Sequence, residues 1–349
     1  MKKRVFAFAL TLIMTLGLTA CGGKTTDSSS GDSVAAAKDS YTFKFADVVA
    51  DNHPYNMGAR YFKENLEAAA KEAGYNVTME IYSNSALGGE RELAESMQLG
   101  TLDMALIPGC AVSFNPKWGL IDLPYLFESR EVAHAVLDGE IGKELAADMP
   151  EETGLRLLAY WENGFRNMTN SKAPINGPED VKGVTIRVPE TEVYVSFFSE
   201  LGANVVTMSF SELYTALQQK TVDGQENPTA LIATNKLYET QKYMSLTEHI
   251  YGPSELCFSE KIWKTLPADL QEIIQKCAED ARDYERQCCA DLEQSYLDEI
   301  EAAGTTVNKD IDKSQFKPYA EKVMSSTRML TEPTSNGSRT AIIDMRNHI

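Results

Sequence analysis

Two stretches 120 residues apart repeat the same order of residues, and this echo limits the folds open to the chain more than any other feature. Glu92, Leu93, Gln98, Thr101 and Asp103 match Glu212, Leu213, Gln218, Thr221 and Asp223, with Leu102 against Val222, so five of twelve positions are identical. Each copy reads as an amphipathic helix running into a strand. The alternation before the first copy is regular. Tyr41, Phe43 and Phe45 keep a period of two; Phe62, Leu66, Ala69, Ala70 and Ala73 keep helical spacing up to Gly74; Val77, Met79 and Ile81 return to two. A loop, NSALGGE, then leads to a helix over 90–99 and an apolar strand over 102–107, closed by Pro108-Gly109. This is a βαβαβ unit, half of a doubly wound sheet. Two such units predict two α/β lobes facing each other across a cleft that closes on a ligand.

The segments between the units fit that plan. Residues 155–160 read as a strand passing from the first lobe to the second, and 251–258 as a strand returning. From Asp269 to Ala303 apolar residues recur at helical spacing with no Gly or Pro between, which predicts a rod roughly 50 Å long that can span both lobes. Its charged face is expected to be solvated. A chain of 349 residues is long enough for two domains. Its formal charge of −18 argues against nucleic acid or an anionic membrane surface as a partner, so any bound anion must be held by local positive charge.

Arg187 is the candidate for that charge. Val184, Ile186 and Val188 alternate with Thr185 and Arg187, which puts the aliphatics on one face of a strand and the arginine on the other, and Pro189 stops the strand. Ligands of open α/β sheets lie at the carboxyl ends of strands, where a guanidinium meets a small anion; an exposed edge-strand arginine is the simpler alternative.

The N-terminus reads as a targeting segment. Lys2, Lys3 and Arg4 precede an apolar run from Val5 to Leu18, too short for a stop-transfer helix. The following Leu18-Thr19-Ala20-Cys21-Gly22 resembles a bacterial lipobox, so residues 1–20 are expected to be cleaved and Cys21 lipidated. Residues 21–40, rich in Ser, Thr, Asp and Gly, form the expected tether, with a root-mean-square reach of roughly 25 Å. Cys110, Cys257, Cys277, Cys288 and Cys289 show no CxxC or zinc spacing and read as buried free thiols, leaving the redox environment open.

The runs SKAPINGPEDVKGVTIRVPE at 171–190, LGANVVTMSFSELYTALQQKTVDGQENP at 201–228 and NSALGGERELAESMQLGTLDMA at 84–105 resemble the solute-binding proteins of TRAP (tripartite ATP-independent periplasmic) transporters, DctP-type. The resemblance implies a two-lobed periplasmic-binding-protein-like fold with a central cleft and a long helix spanning both lobes. It places lobe I at 41–164 plus about 251–290, and lobe II at 165–250 plus about 291–349. It further implies a carboxylate clamped by Arg187, with Arg166 (in NGFRN) a second arginine near the ligand, Asn227 (in DGQENP) beside it and Phe210 packing on it. Asn227 precedes a proline, which pushes its backbone extended, and Phe210 lies in a Ser209…Glu212 capping-box spacing at a helix start. Alternatives stay open: Arg166 as a hinge ion-pair partner, Phe210 as core, Asn227 as a turn former. His53 and Glu90 would lie near the cleft, or else His53 caps a turn and Glu90 favours its helix dipole. Trp161 either stacks on a sugar ring or fills the hinge.

The function so implied is extracytoplasmic capture of a small organic carboxylate, leaning to a sugar acid such as a hexuronate, and delivery to membrane permease subunits. A C4-dicarboxylate or another monocarboxylate is the alternative ligand. No cofactor, metal or nucleic acid is expected. A secreted α/β hydrolase is disfavoured, since the sequence has four histidines and neither GxSxG nor HExxH; Ser314-Gln315-Phe316-Lys317 is an SxxK without companion motifs.

Overall fold

A computed structural model of the chain describes residues 38–109, 113–114 and 116–326. The expected signal peptide, Cys21, residues 22–37 of the tether and Cys110 lie outside the described residues.

The first βαβαβ unit comprises β1 (Ser40–Ala46), α1 (Pro54–Glu72), β2 (Asn76–Tyr82), α2 (Glu90–Leu99) and β3 (Met104–Leu106). In β1 the alternation is realised as Phe43 and Phe45 buried against exposed Thr42 and Lys44. Helix α1 starts at a proline, buries the stripe Ala59, Phe62, Leu66 and Ala70, and is followed by Gly74 at φ +89. Helices α3 (Arg130–Asp138), α4 (Glu140–Ala147) and α5 (Met149–Thr153) then lead into β4 (Leu155–Asn170). The second unit repeats the first: β5 (Thr185–Val188), α6 (Glu192–Glu200), β6 (Asn204–Thr207), α7 (Phe210–Gln218) and β7 (Gly224–Pro228). After α8 (Thr229–Thr234) and β8 (Tyr243–Ser245), β9 (Tyr251–Ser259) returns to the first half; α9 (Glu260–Trp263), α10 (Ala268–Ala302), β10 (Thr306–Asn308) and α11 (Lys317–Ser326) complete the described chain.

One strand path runs β2-β1-β3-β9-β4-β7-β5-β6. Within each unit the pairs are parallel, β2-β1-β3 mirrored by β6-β5-β7. The antiparallel strands β9 and β4 join the halves, and their register shifts between Glu162 and Gly164, where Gly164 takes φ +104. Strand β4 is far longer than the 155–160 expected, because its second half continues by pairing with β7 and β8.

The echo seen in the sequence is an echo of bonds. The Asp103 carboxylate accepts the backbone N–H of Lys44 in β1 (2.8 Å) while its carbonyl accepts that of Ser259 at the end of β9 (2.8 Å). The Asp223 carboxylate likewise accepts from Thr185 in β5 (2.9 Å) and its carbonyl from Ser171 beyond β4 (3.0 Å). The turn residues Gly100 and Lys220, also 120 apart, both sit in the left-handed region, at φ +74 and +58.

Helix α10 packs on α1, β4 and α8 and so reaches both halves. Its polar side is not wholly solvated, contrary to the sequence expectation. Glu285 is fully buried, its carboxylate accepting the Glu162 N–H (2.9 Å), and Arg286 donates to Asp138 and to the Tyr160 carbonyl (2.6 Å each). The helix runs across the back of the joining strands, so its inward turns must meet backbone groups as well as side chains. Trp161 is fully buried there, and a Cβ on Gly58 of α1 would come within 2.6 Å of its ring. The tryptophan therefore fills the join and is closed to a sugar. Cys277 and Cys289 are buried thiols, as expected, whereas Cys288 is only partly buried; Cys257 is buried in β9.

Candidate functional site

At the carboxyl end of β5 the chain leaves the sheet through Pro189, and Arg187 is buried, 3% exposed. Its Nε and Nη2 both donate to the Met208 carbonyl, at 3.0 and 2.6 Å, which ties one edge of the guanidinium to the residues preceding α7. No carboxylate lies within ion-pair distance of it among the described residues. Burial lowers its pKa to about 10, although Glu90 and Glu226 pull the other way, so the group stays charged at neutral pH and is incompletely compensated.

Arg166 has a different setting. It comes from the second half of β4, diagonal to Glu226 of β7, and grips that carboxylate with Nε and Nη2 at 2.6 and 2.8 Å. Nη2 also donates to the Glu226 carbonyl and to Asn227 Oδ1, both at 2.9 Å. The face of Tyr194 lies 5.1 Å from the guanidinium. Burial would push the Glu226 carboxyl up, but Arg166 and His249 outweigh it and hold it below the usual range. Burial lowers the His249 pKa, so a neutral ring donates from Nε2 to Glu226 (3.1 Å) while Nδ1 meets the Thr247 hydroxyl (2.8 Å). Arg166 is thus an ion-pair partner inside the second half-sheet, with its charge already answered.

These side chains border a cavity whose atom-free space is about 480 Å³, part of it open to solvent. Arg187, Arg166, Asn227, Phe210 and Glu90 all line it. Glu90 and Phe210 are 120 residues apart and each is the first residue of its helix, α2 and α7, so the echo aims two helix starts at the cavity. The α2 start is closed by Glu92, whose carboxylate accepts the Gly89 N–H (3.0 Å). The capping box expected at Ser209…Glu212 does not form, and the Ser209 hydroxyl pairs with that of Ser211 (2.9 Å) instead. Burial raises the Glu90 pKa, with Arg187 and Arg166 opposing.

His53 is not among the cavity residues. It is the cap of α1, with Nδ1 accepting the Tyr55 N–H (3.2 Å), and burial drops its pKa to about 3. Cavity residues that sequence reasoning did not single out are Tyr55, Asn163 and Tyr194, and Glu226 supports them from behind. Glu226 stands next to Asn227 in QENP and Asn163 three residues before Arg166 in NGFR; for Glu226 a charge inside an otherwise buried strand was the available signal. Among the described residues no group of three His, Cys, Asp or Glu is gathered to hold a metal ion.

Two α/β half-sheets joined by a pair of antiparallel strands, with an unanswered arginine in the cleft between them, define a two-lobed solute-binding protein. The chain matches the model of DctP, bacterial extracellular solute-binding protein family 7, over residues 45–328, and it belongs to that family. The 2,3-diketo-L-gulonate-binding periplasmic protein YiaO of Escherichia coli K12 is 32% identical over 276 residues, 79% of this chain and 83% of that protein. The C4-dicarboxylate-binding periplasmic protein DctP of Rhodobacter capsulatus is 35% identical over 278 residues, 78% and 81% of the two chains. A solved TRAP periplasmic solute-binding protein from Sulfitobacter sp. NAS-14.1, with bound β-D-galacturonate, superposes with a TM-score of 0.81 at 28% identity, covering 88% of this chain and 100% of that one. The protein is a TRAP transporter solute-binding protein. No helix among the described residues is long and apolar enough to cross a membrane.

Proposed function

We propose that the protein captures a sugar acid by pairing its carboxylate with Arg187 and carries it, without chemical turnover, to TRAP permease subunits in the membrane. The observation that carries this reading is the state of Arg187: buried, held at one edge by a carbonyl, and without a counter-ion among the described residues. Desolvation of that guanidinium is an unpaid cost that a carboxylate relieves, and the planar fork fixes the direction of the acid. Phe210 packs against the carbon chain, and Asn227, held by Arg166 Nη2 and donating to Gln225 Oε1 (2.5 Å), offers a fixed polar edge. Arg166 acts by holding Glu226 and Asn227 in place, and His53 by starting α1 under the cavity wall.

The ligand class rests on the sugar acids named for the relative from E. coli and the neighbour from Sulfitobacter. We assign the lobes to 41–164 plus about 251–290 and to 165–250 plus about 291–349, and the register shift of β4 against β9 supports a hinge there. Export through residues 1–20 and lipidation of Cys21 would hold the receptor on the outer face of the cell membrane. Isothermal calorimetry against a panel of aldonates, hexuronates and C4-dicarboxylates tests the assignment. Arg187→Lys is expected to weaken the best ligand about a hundredfold, because a point charge replaces a two-pronged donor, with the unliganded melting temperature little changed. An unchanged affinity would remove Arg187 from the site.

A further inference from the structure

The charges around the cavity do not cancel in the way a site for any carboxylate would require. Arg166 and Glu226 neutralise each other through two bonds, and His249 backs Glu226 without carrying charge. Asp122 stands behind Tyr194, whose hydroxyl donates to it (3.2 Å). Glu92 and Glu190 are exposed, where water and salt screen them. What is left on the wall is one cation and one anion, each without an ion-pair partner among the described residues: Arg187 from the second half-sheet and Glu90 from the first. The rest of the lining is largely apolar, with Val48, Val49, Pro189, Leu231 and Pro253.

We infer that Glu90 sets the charge of the ligand, admitting acids with a single carboxylate and a hydroxylated tail and rejecting dicarboxylates. An acid anchored on Arg187 extends toward the α2 start. Glu90 can only accept hydrogen bonds while ionised, so hydroxyls there gain partners, whereas a second carboxylate meets a like charge in a closed cleft. This rests on the sugar-acid reading and narrows it, since the dicarboxylates bound by some family members would be excluded by one residue at the first lobe's helix start.

D-galactonate and galactarate separate the two claims, because they share a carbon skeleton and differ only in a terminal CH₂OH against a second carboxylate. By calorimetry the wild-type protein is expected to prefer galactonate by about a hundredfold, the scale of a like-charge contact shielded from water. In Glu90→Gln that preference should shrink to about tenfold or less, mainly through tighter galactarate binding, while Glu90→Asp, which keeps the charge, should retain most of it. Unliganded melting curves establish that both variants are folded. Equal wild-type affinity for the two acids, or an unchanged preference in Glu90→Gln, overturns the inference and leaves the sugar-acid reading standing. Wild-type binding of galactarate alone likewise overturns the inference only, whereas binding of neither, with only acids that lack a hydroxylated tail bound, overturns both.

Discussion

In the first half-sheet Ala46 of β1 lies opposite Ala105 of β3; at the matching place in the second, Arg187 of β5 lies opposite Gln225 of β7. One and two residues further along, Leu106 and Ile107 correspond to Glu226 and Asn227. The frames are alike down to the carboxylates of Asp103 and Asp223 on neighbouring backbone N–H groups. The same backbone therefore tolerates methyl groups or a charged network at its strand ends, and only one half was given the network. On the proposed reading binding strength and ligand charge are divided: the second half would hold the acid through Arg187, while the first contributes the helix start that carries Glu90. The buried carboxylates divide less cleanly, since Glu162 and Glu260 of the first half pair with Arg130 (2.8 Å) and Arg156 (2.7 Å). Glu226 in the second half is ion-paired, whereas Asp47, Asp122 and Glu255 in the first have no cation within pairing distance among the described residues.

That contrast can be broken most sharply at Glu226. Glu226→Gln would leave the Arg166 guanidinium buried without its counter-charge, and a loss of about 3–5 kcal/mol is expected in denaturant unfolding. A loss below 1 kcal/mol would mean that the pair is not the anchor of the second half.

Acidity reads the two halves separately. Burial raises Asp47 and Asp122 to about 7 and Glu285 of α10 to about 8. A carboxyl raised on folding contributes stability that is whole below its unfolded pKa and is lost as pH climbs through the folded value. Glu226, lowered on folding, contributes above its unfolded value and loses that contribution only in stronger acid. The melting temperature should accordingly fall between pH 5 and pH 8, by about 5 °C, and Asp122→Asn should flatten the slope. A melting temperature that rises over this range would contradict the assignment of neutral carboxyls to the first half.

The smallest effect sharpens the likeness between the halves. Asp103→Ala and Asp223→Ala each remove a carboxylate from one strand N–H, and each should cost about 1 kcal/mol. The Lys172 ion pair of Asp223 is half-exposed and adds little. Costs that differ severalfold would show that the shared sequence does not mark shared mechanics.

Local order is written in neighbouring residues, and that much the chain declares without a structure. The strands at 41–45 and 77–81, helix 90–99, the long helix and the stop at Pro189 follow from periodicity and from proline and glycine chemistry, since these act within a few residues. The placement of Arg187 at a strand end was legible for the same reason. What tertiary structure alone decided is which polar groups meet: Arg166 with Glu226 across 60 residues, Glu162 with Glu285 across 123, and His53 bonded to its own helix start. A buried charge is satisfied by whichever partner the packed chain brings within 3 Å or so, and that distance is set by strand register and helix packing, not by spacing along the sequence.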